Sequence, residues 1–171
     1  NKAPSSVILQ FRNQVIDIME ICTKIPKTKT IFKIHPTTKK KELLKILKLY
    51  PQKNWELVND NHLYLTKISD VCVSIYSSAS ILDFLALKKT PIELWNILKK
   101  TKYKSKLKKL NLTYYAKDKN DFQKKITKLL NKNKIGQIQR NIKRNFDKNF
   151  FVDGSVKYTE KKILRILNEK V

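Results

Sequence analysis

Apolar residues are distributed in two ways along the first 98 positions: in short unbroken clusters, and in longer stretches with a spacing of three or four. The clusters predict buried strands at Ser6-Val7-Ile8-Leu9-Gln10, Thr30-Ile31-Phe32-Lys33-Ile34, Trp55-Glu56-Leu57-Val58, Asp70-Val71-Cys72-Val73-Ser74-Ile75 and Pro91-Ile92-Glu93-Leu94. The spaced stretches predict helices between them. Asn13 to Lys24 carries Val15, Ile16, Met19 and Cys22 on one face, and Lys39 to Leu49 turns Leu43, Leu44 and Leu47 inward. Shorter helices are expected from Asn61 to Ile68 and from Ser78 to Lys88. The second strand is expected to stop at His35-Pro36, because proline has no ladder donor.

Strand and helix therefore alternate four times before a last strand, and the strands are apolar enough to be buried on both faces. This pattern predicts an α/β fold with a doubly wound, mostly parallel sheet and helices on both sides of it. Ligands of such sheets bind beyond the carboxyl ends of the strands, which directs attention to the residues after Ile34 and Ile75. From Lys99 onward the pattern is mainly helical, with apolar stripes at Phe122, Ile126, Leu129 and Leu130, at Ile138, Ile142, Phe146 and Phe150, and at Ile163, Leu164 and Leu167. Stripes of this kind are core packing. The expected division is a Rossmann-like core over 1–98 and a basic, mainly helical C-terminal extension over 99–171 that packs on the same domain.

Charge changes the picture near Lys99. The chain has 38 Lys and Arg against 14 Asp and Glu, a net charge of +24. Residues 99–148 hold 18 basic and three acidic residues, and 99–109 alone holds seven lysines and no acid. Such a balance suits a polyanion: nucleic acid, anionic lipid or a phosphorylated substrate. Yet only four of the 38 are arginine, and the arginine forks and stacking aromatics of nucleic-acid sites are scarce. Lys, Asn and Ile are products of A/T-rich codons, so genome composition accounts for part of the excess. A solvated helix or loop surface is the first reading of the 99–109 run, anionic membrane contact the second, and nucleic acid, which is disfavoured, the third. No apolar run is long enough to span a bilayer. Cys22 and Cys72 lack disulfide or metal-ligand spacing and are expected as buried core thiols. The start at Asn1, without Met or leader, suggests a fragment of a longer chain.

Three places could carry chemistry. His35 follows a strand and could donate to a phosphate or carry a proton, or be a plain loop residue. Ser77 and Ser78 lie between a strand and a helix start, where hydroxyls and outward N–H groups suit an anion. Capping alone would also explain them, and Ser80 with Asp83 makes a capping box beside them. Glu93 ends the last strand and could hold a ribose hydroxyl or be a solvated edge residue. No Gly-rich phosphate loop, Walker pattern, zinc set or Gly-x-Ser-x-Gly elbow is present.

In this order the strings Lys33-Ile34-His35-Pro36, Ile68-Ser69-Asp70-Val71, Tyr76-Ser77-Ser78 through Leu82-Asp83-Phe84, and Thr90-Pro91-Ile92-Glu93 resemble a known family. They are similar to the C-terminal, nucleotide-binding half of GT-B transferases of surface polysaccharide synthesis. These include capsule synthesis proteins, sialyl- and polysialyltransferases with "HP" and "SS" motifs, and CDP-glycerol glycerophosphotransferases. Phe151-Val152-Asp153-Gly154 loosely resembles their "DG" segment. The resemblance covers 5–98 well and 150–170 loosely.

It implies that His35 contacts the donor phosphate as the catalytic residue, that Ser77 and Ser78 hold the same phosphate, and that Glu93 sits near the ribose or sugar. It implies a CMP-, CDP- or UDP-linked sugar or polyol as substrate, with no cofactor and no metal. An N-terminal partner domain would supply the acceptor site and base, so the chain alone is expected to be inactive. The expected location is cytoplasmic, with peripheral contact at the inner membrane face. A sugar-nucleotide epimerase-like enzyme on the same sheet and a basic binding module are the alternatives.

Overall fold

In the computed structural model, residues 5–34, 39–75, 80–94 and 105–150 are described. The fold is α/β, with seven helices and four strands among these residues. In chain order they are α1 (Ser5–Cys22), β1 (Thr30–Lys33), α2 (Lys40–Leu47), β2 (Trp55–Val58), α3 (His62–Ile68), β3 (Cys72–Ser74), α4 (Ser80–Ala86), β4 (Pro91–Glu93), α5 (Lys106–Lys109), α6 (Lys119–Leu130) and α7 (Lys132–Phe150).

One expected strand is absent. Residues 6–10 belong to α1 and not to a strand. A five-residue apolar run does not by itself separate strand from helix. Here the apolar positions continue through Phe11, Val15, Ile18, Met19 and Cys22 at helical spacing, so one long helix absorbs the run. α1 serves two parts of the core. Val15 and Met19 pack with Leu43, Ile46 and Leu47 of α2 and with Trp55. Ile18, Ile21 and Cys22 pack with Ile92, Phe122, Ile126 and Leu129.

The strands form two parallel pairs. β1 pairs with β2 from Thr30↔Trp55 to Lys33↔Val58, and β3 pairs with β4 from Cys72↔Pro91 to Ser74↔Glu93. The Ile34 N–H reaches Val58 O at 3.2 Å and the Leu94 N–H reaches Ser74 O at 3.0 Å, so each pair runs one residue further. Residues 114–116 run alongside β4: Tyr114 N–H donates to Pro91 O and Ala116 N–H to Glu93 O, both at 2.8 Å. β3 is covered on both faces, as side chains alternating along a strand require. Cys72 packs with Ile81, Phe84 and Leu85 of α4 and with Ile142 and Phe146 of α7. Val73 and Ile75 pack instead against the cluster built by α1 and α6.

Helix ends show how a glycine-poor chain turns corners. The sequence has two glycines. After α4, Lys88 N–H bonds Leu85 O and Lys89 N–H bonds Phe84 O, the paired bonds of a Schellman motif. Its left-handed position is held by Lys88 at φ 59°. After α5, Asn111 at φ 52° plays the same part, with Leu112 N–H on Leu107 O. Glycine would hold either conformation without the Cβ penalty. At the start of α6, Asp118 accepts from Asp121 N–H at 2.8 Å, and Asp121 accepts from Lys117 N–H at 2.9 Å. The apolar stripes of α6 and α7 pack as their periodicity predicts. Phe122, Ile126, Leu129, Ile142 and Phe146 are buried. Phe150 as a side chain, and Ile163, Leu164 and Leu167, lie outside the described residues.

Candidate functional site at the strand exits

Each parallel pair releases its strands at one edge. β1 and β2 leave theirs at Lys33 and Val58, and β3 and β4 at Ser74 and Glu93. A contact between the next helices joins the two edges. His62, the first residue of α3, lies beyond β2, and Asp83 lies in the first turn of α4, beyond β3. His62 Nε2 stands 3.5 Å from Asp83 Oδ2, without the alignment of a hydrogen bond. The His62 ring leans on Phe84 with centroids 5.3 Å apart. The exits of β2 and β3 therefore open on a common side.

The β1–β2 exit is polar. Lys33 Nζ lies 3.4 Å from Asn59 Oδ1 and 3.4 Å from Ile34 O. Asn61 caps α3, accepting from Leu63 N–H at 2.9 Å and Tyr64 N–H at 3.4 Å. α3 is anchored at its other end as well: Lys89 Nζ donates to Lys67 O at 3.0 Å and Ser69 O at 2.7 Å.

The β4 exit is built around one buried carboxyl. Glu93 is 2% exposed. Its Oε2 accepts from Ser105 Oγ at 2.9 Å and from Thr113 Oγ1 at 2.8 Å. Ser105 acts twice, since its Oγ also accepts from Lys108 N–H at 3.1 Å and so caps α5. Buried polar groups persist only when hydrogen-bonded. Glu93 thus ties the end of β4 to the start of α5 and to the segment that runs along β4. Of its two sequence-based roles, a solvated edge residue does not fit this burial.

The other expected site residues are placed as follows. His35, Ser77 and Ser78 lie outside the described residues. Ser80 is the first residue of α4, and the Asp83 carboxyl stands beside His62. His62 is not among the sequence-based candidates, although it follows the exit of β2 as the expected site residues follow those of β1 and β3.

Neither cysteine suits nucleophilic work. Burial pushes the Cys72 thiol up to about 11, against a smaller opposing pull from Lys89. Burial also raises the Cys22 thiol, with the Thr30 hydroxyl opposing it. A thiol held in its protonated form is a poor nucleophile. Among the described residues, no group of three His, Cys, Asp or Glu could hold a metal ion, and no helix is long and apolar enough to cross a membrane.

Comparison with protein-family models, curated proteins and solved structures returned no match.

Proposed function

We propose that this chain binds the nucleotide-activated donor of a glycosyl- or glycerophosphotransferase of cell-surface polysaccharide synthesis. The supporting observation is an order of residues along the strand exits. His35-Pro36 follows β1, Ser77-Ser78 precedes α4, and Glu93 ends β4. In the doubly wound sheet proposed here, the exits of β1, β3 and β4 would share one edge, the position where α/β sheets take ligands. Phe32 of β1 packs against the same cluster as Val73 of β3 and Ile75 just beyond it, which supports β1 and β3 as neighbours. The strand order would then be β2-β1-β3-β4, that of a doubly wound, Rossmann-like sheet.

In this function the donor is a CMP-, CDP- or UDP-linked sugar or polyol. His35 and the hydroxyl and N–H groups at Ser77 and Ser78 receive its phosphate and stabilise the charge that develops as the nucleotide leaves. Displacement occurs at the donor carbon or phosphorus. A second domain supplies the acceptor and the base, so this chain alone binds the donor without turning it over. Glu93, held by two hydroxyls, shapes the edge near the ribose.

The serines provide the test. Ser77→Ala and Ser78→Ala should weaken binding of CMP, CDP or UDP while leaving the denaturant midpoint nearly unchanged. Ser80→Ala, within the helix start itself, should cost stability first, by about 0.5–2 kcal/mol if it caps. Silent Ser77 and Ser78 variants beside a Ser80 variant that abolishes binding would refute the assignment.

A further inference from the structure

A basic surface lies where α5 meets α7. α7 turns Ile138, Ile142 and Phe146 toward the core. Arg144 and Lys148 are exposed on its outer side. Asn145 Nδ2 donates to Asn111 O at 3.3 Å, which places the last turns of α7 beside the end of α5. α5 contributes exposed Lys106, Lys108 and Lys109, and Leu110 follows them with 39% of its surface open to solvent. None of these five cations has an ion pair among the described residues.

We infer that this corner, with Lys106, Lys108, Lys109, Arg144 and Lys148 around Leu110, docks on an anionic phospholipid surface. Three observations favour lipid over nucleic acid. An exposed leucine among cations gains from an interface with apolar depth, and a phosphodiester backbone offers it none. Tyr115, which follows α5, carries Lys108 Nζ over its ring at 3.9 Å from the centroid, so that face is taken from a stacking base. Four of the five cations are lysines, which act as point charges on a diffuse anionic surface and do not need paired acceptors. The inference does not depend on the donor site, since neither His35 nor the Ser77-Ser78 pair takes part.

Cosedimentation of the full chain with phosphatidylglycerol-containing vesicles, against pure phosphatidylcholine vesicles, tests it. Each basic side chain near such a surface contributes about fivefold to partitioning. The triple variant Lys106→Gln, Lys108→Gln, Lys109→Gln should therefore lose about 100-fold. A control, Lys40→Gln, Lys41→Gln, Lys53→Gln, removes the same charge from exposed positions elsewhere and should lose about threefold or less. Leu110→Ser should lower partitioning severalfold and leave its salt dependence unchanged. Thermal melts of each variant confirm that these surface substitutions leave the chain folded. Equal losses in the two triple variants would overturn the inference, because net charge alone would then explain binding. So would the absence of any preference for the anionic vesicles, or displacement of the chain from them by equimolar duplex DNA or RNA.

Discussion

Replacing Glu93 with alanine should destabilise the protein even when no ligand is present. The variant leaves the Ser105 and Thr113 hydroxyls without the acceptor that both now share. Both residues are buried. A buried donor left without a partner costs about 1–3 kcal/mol. Ser105 Oγ goes on accepting from Lys108 N–H, so the cap of α5 survives while the hydroxyl proton loses its acceptor. The expected cost is about 2–5 kcal/mol, a large share of the ~5–15 kcal/mol that holds a domain together. With a urea slope of about 1–3 kcal/mol/M, the midpoint should fall by roughly 1–2 M. Glu93→Gln keeps an oxygen in place and should lose about 1 kcal/mol. A double-mutant cycle isolates the shared bond. Thr113→Val should cost stability in the wild type and be nearly neutral beside Glu93→Ala, because its orphaned donor is then gone. Equal costs for Thr113→Val in both backgrounds, or an unchanged midpoint for Glu93→Ala, would show that the shared bonds to Glu93 do not hold this end of β4.

Three further outcomes are expected. Lys88→Gly should stabilise the protein by about 0.5–1 kcal/mol in chemical denaturation, since glycine relieves the left-handed strain at the end of α4. Lys119, which bonds Asp17 at 2.9 Å and also Glu20, links α6 to α1. Its hydrogen bond holds the Glu20 carboxyl below the ordinary glutamate range, and the same partners hold the Lys119 ammonium above its own. The Glu20 share of stability is therefore present above the ordinary glutamate pKa and fades as pH falls through the lowered value; the Lys119 share is present below the ordinary lysine pKa and fades as pH rises through the raised one. The groups are partly exposed, so Lys119→Met should cost no more than about 1 kcal/mol at neutral pH, measured by urea titration. Cys72 should resist alkylation at pH 8 in the folded protein and react at once in denaturant, as its burial and raised pKa require.

The hydrophobic pattern made the alternation of strand and helix legible from β1 to β4. It made α6 and α7 legible too, because a period of two or of 3.6 survives any biased composition. It failed at residues 6–10, where a short apolar cluster is compatible with either period and only the continuation to Cys22 decides between them. The pairing of strands was not legible, since register depends on contacts between segments far apart in sequence. Glu93 was visible as the carboxylate ending a strand. Its partners were not, because Ser105 and Thr113 lie 12 and 20 residues onward and carry no spacing signature. The contact of His62 with Asp83 was hidden in the same way. Charge was legible as a total, but the corner around Leu110 exists only once α7 lies beside α5.

Calorimetric titration of the chain with CDP and with cytidine, in the wild type and in His35→Ala, tests the donor-site account most directly. The nucleotide should bind weakly and the nucleoside more weakly still. His35→Ala should remove about 1.5–3 kcal/mol from nucleotide binding, the worth of a hydrogen bond to a charged group, and leave nucleoside binding unchanged. Equal losses for CDP and cytidine, or the same absence of binding for CMP, CDP and UDP in the wild type, would contradict the donor-site account.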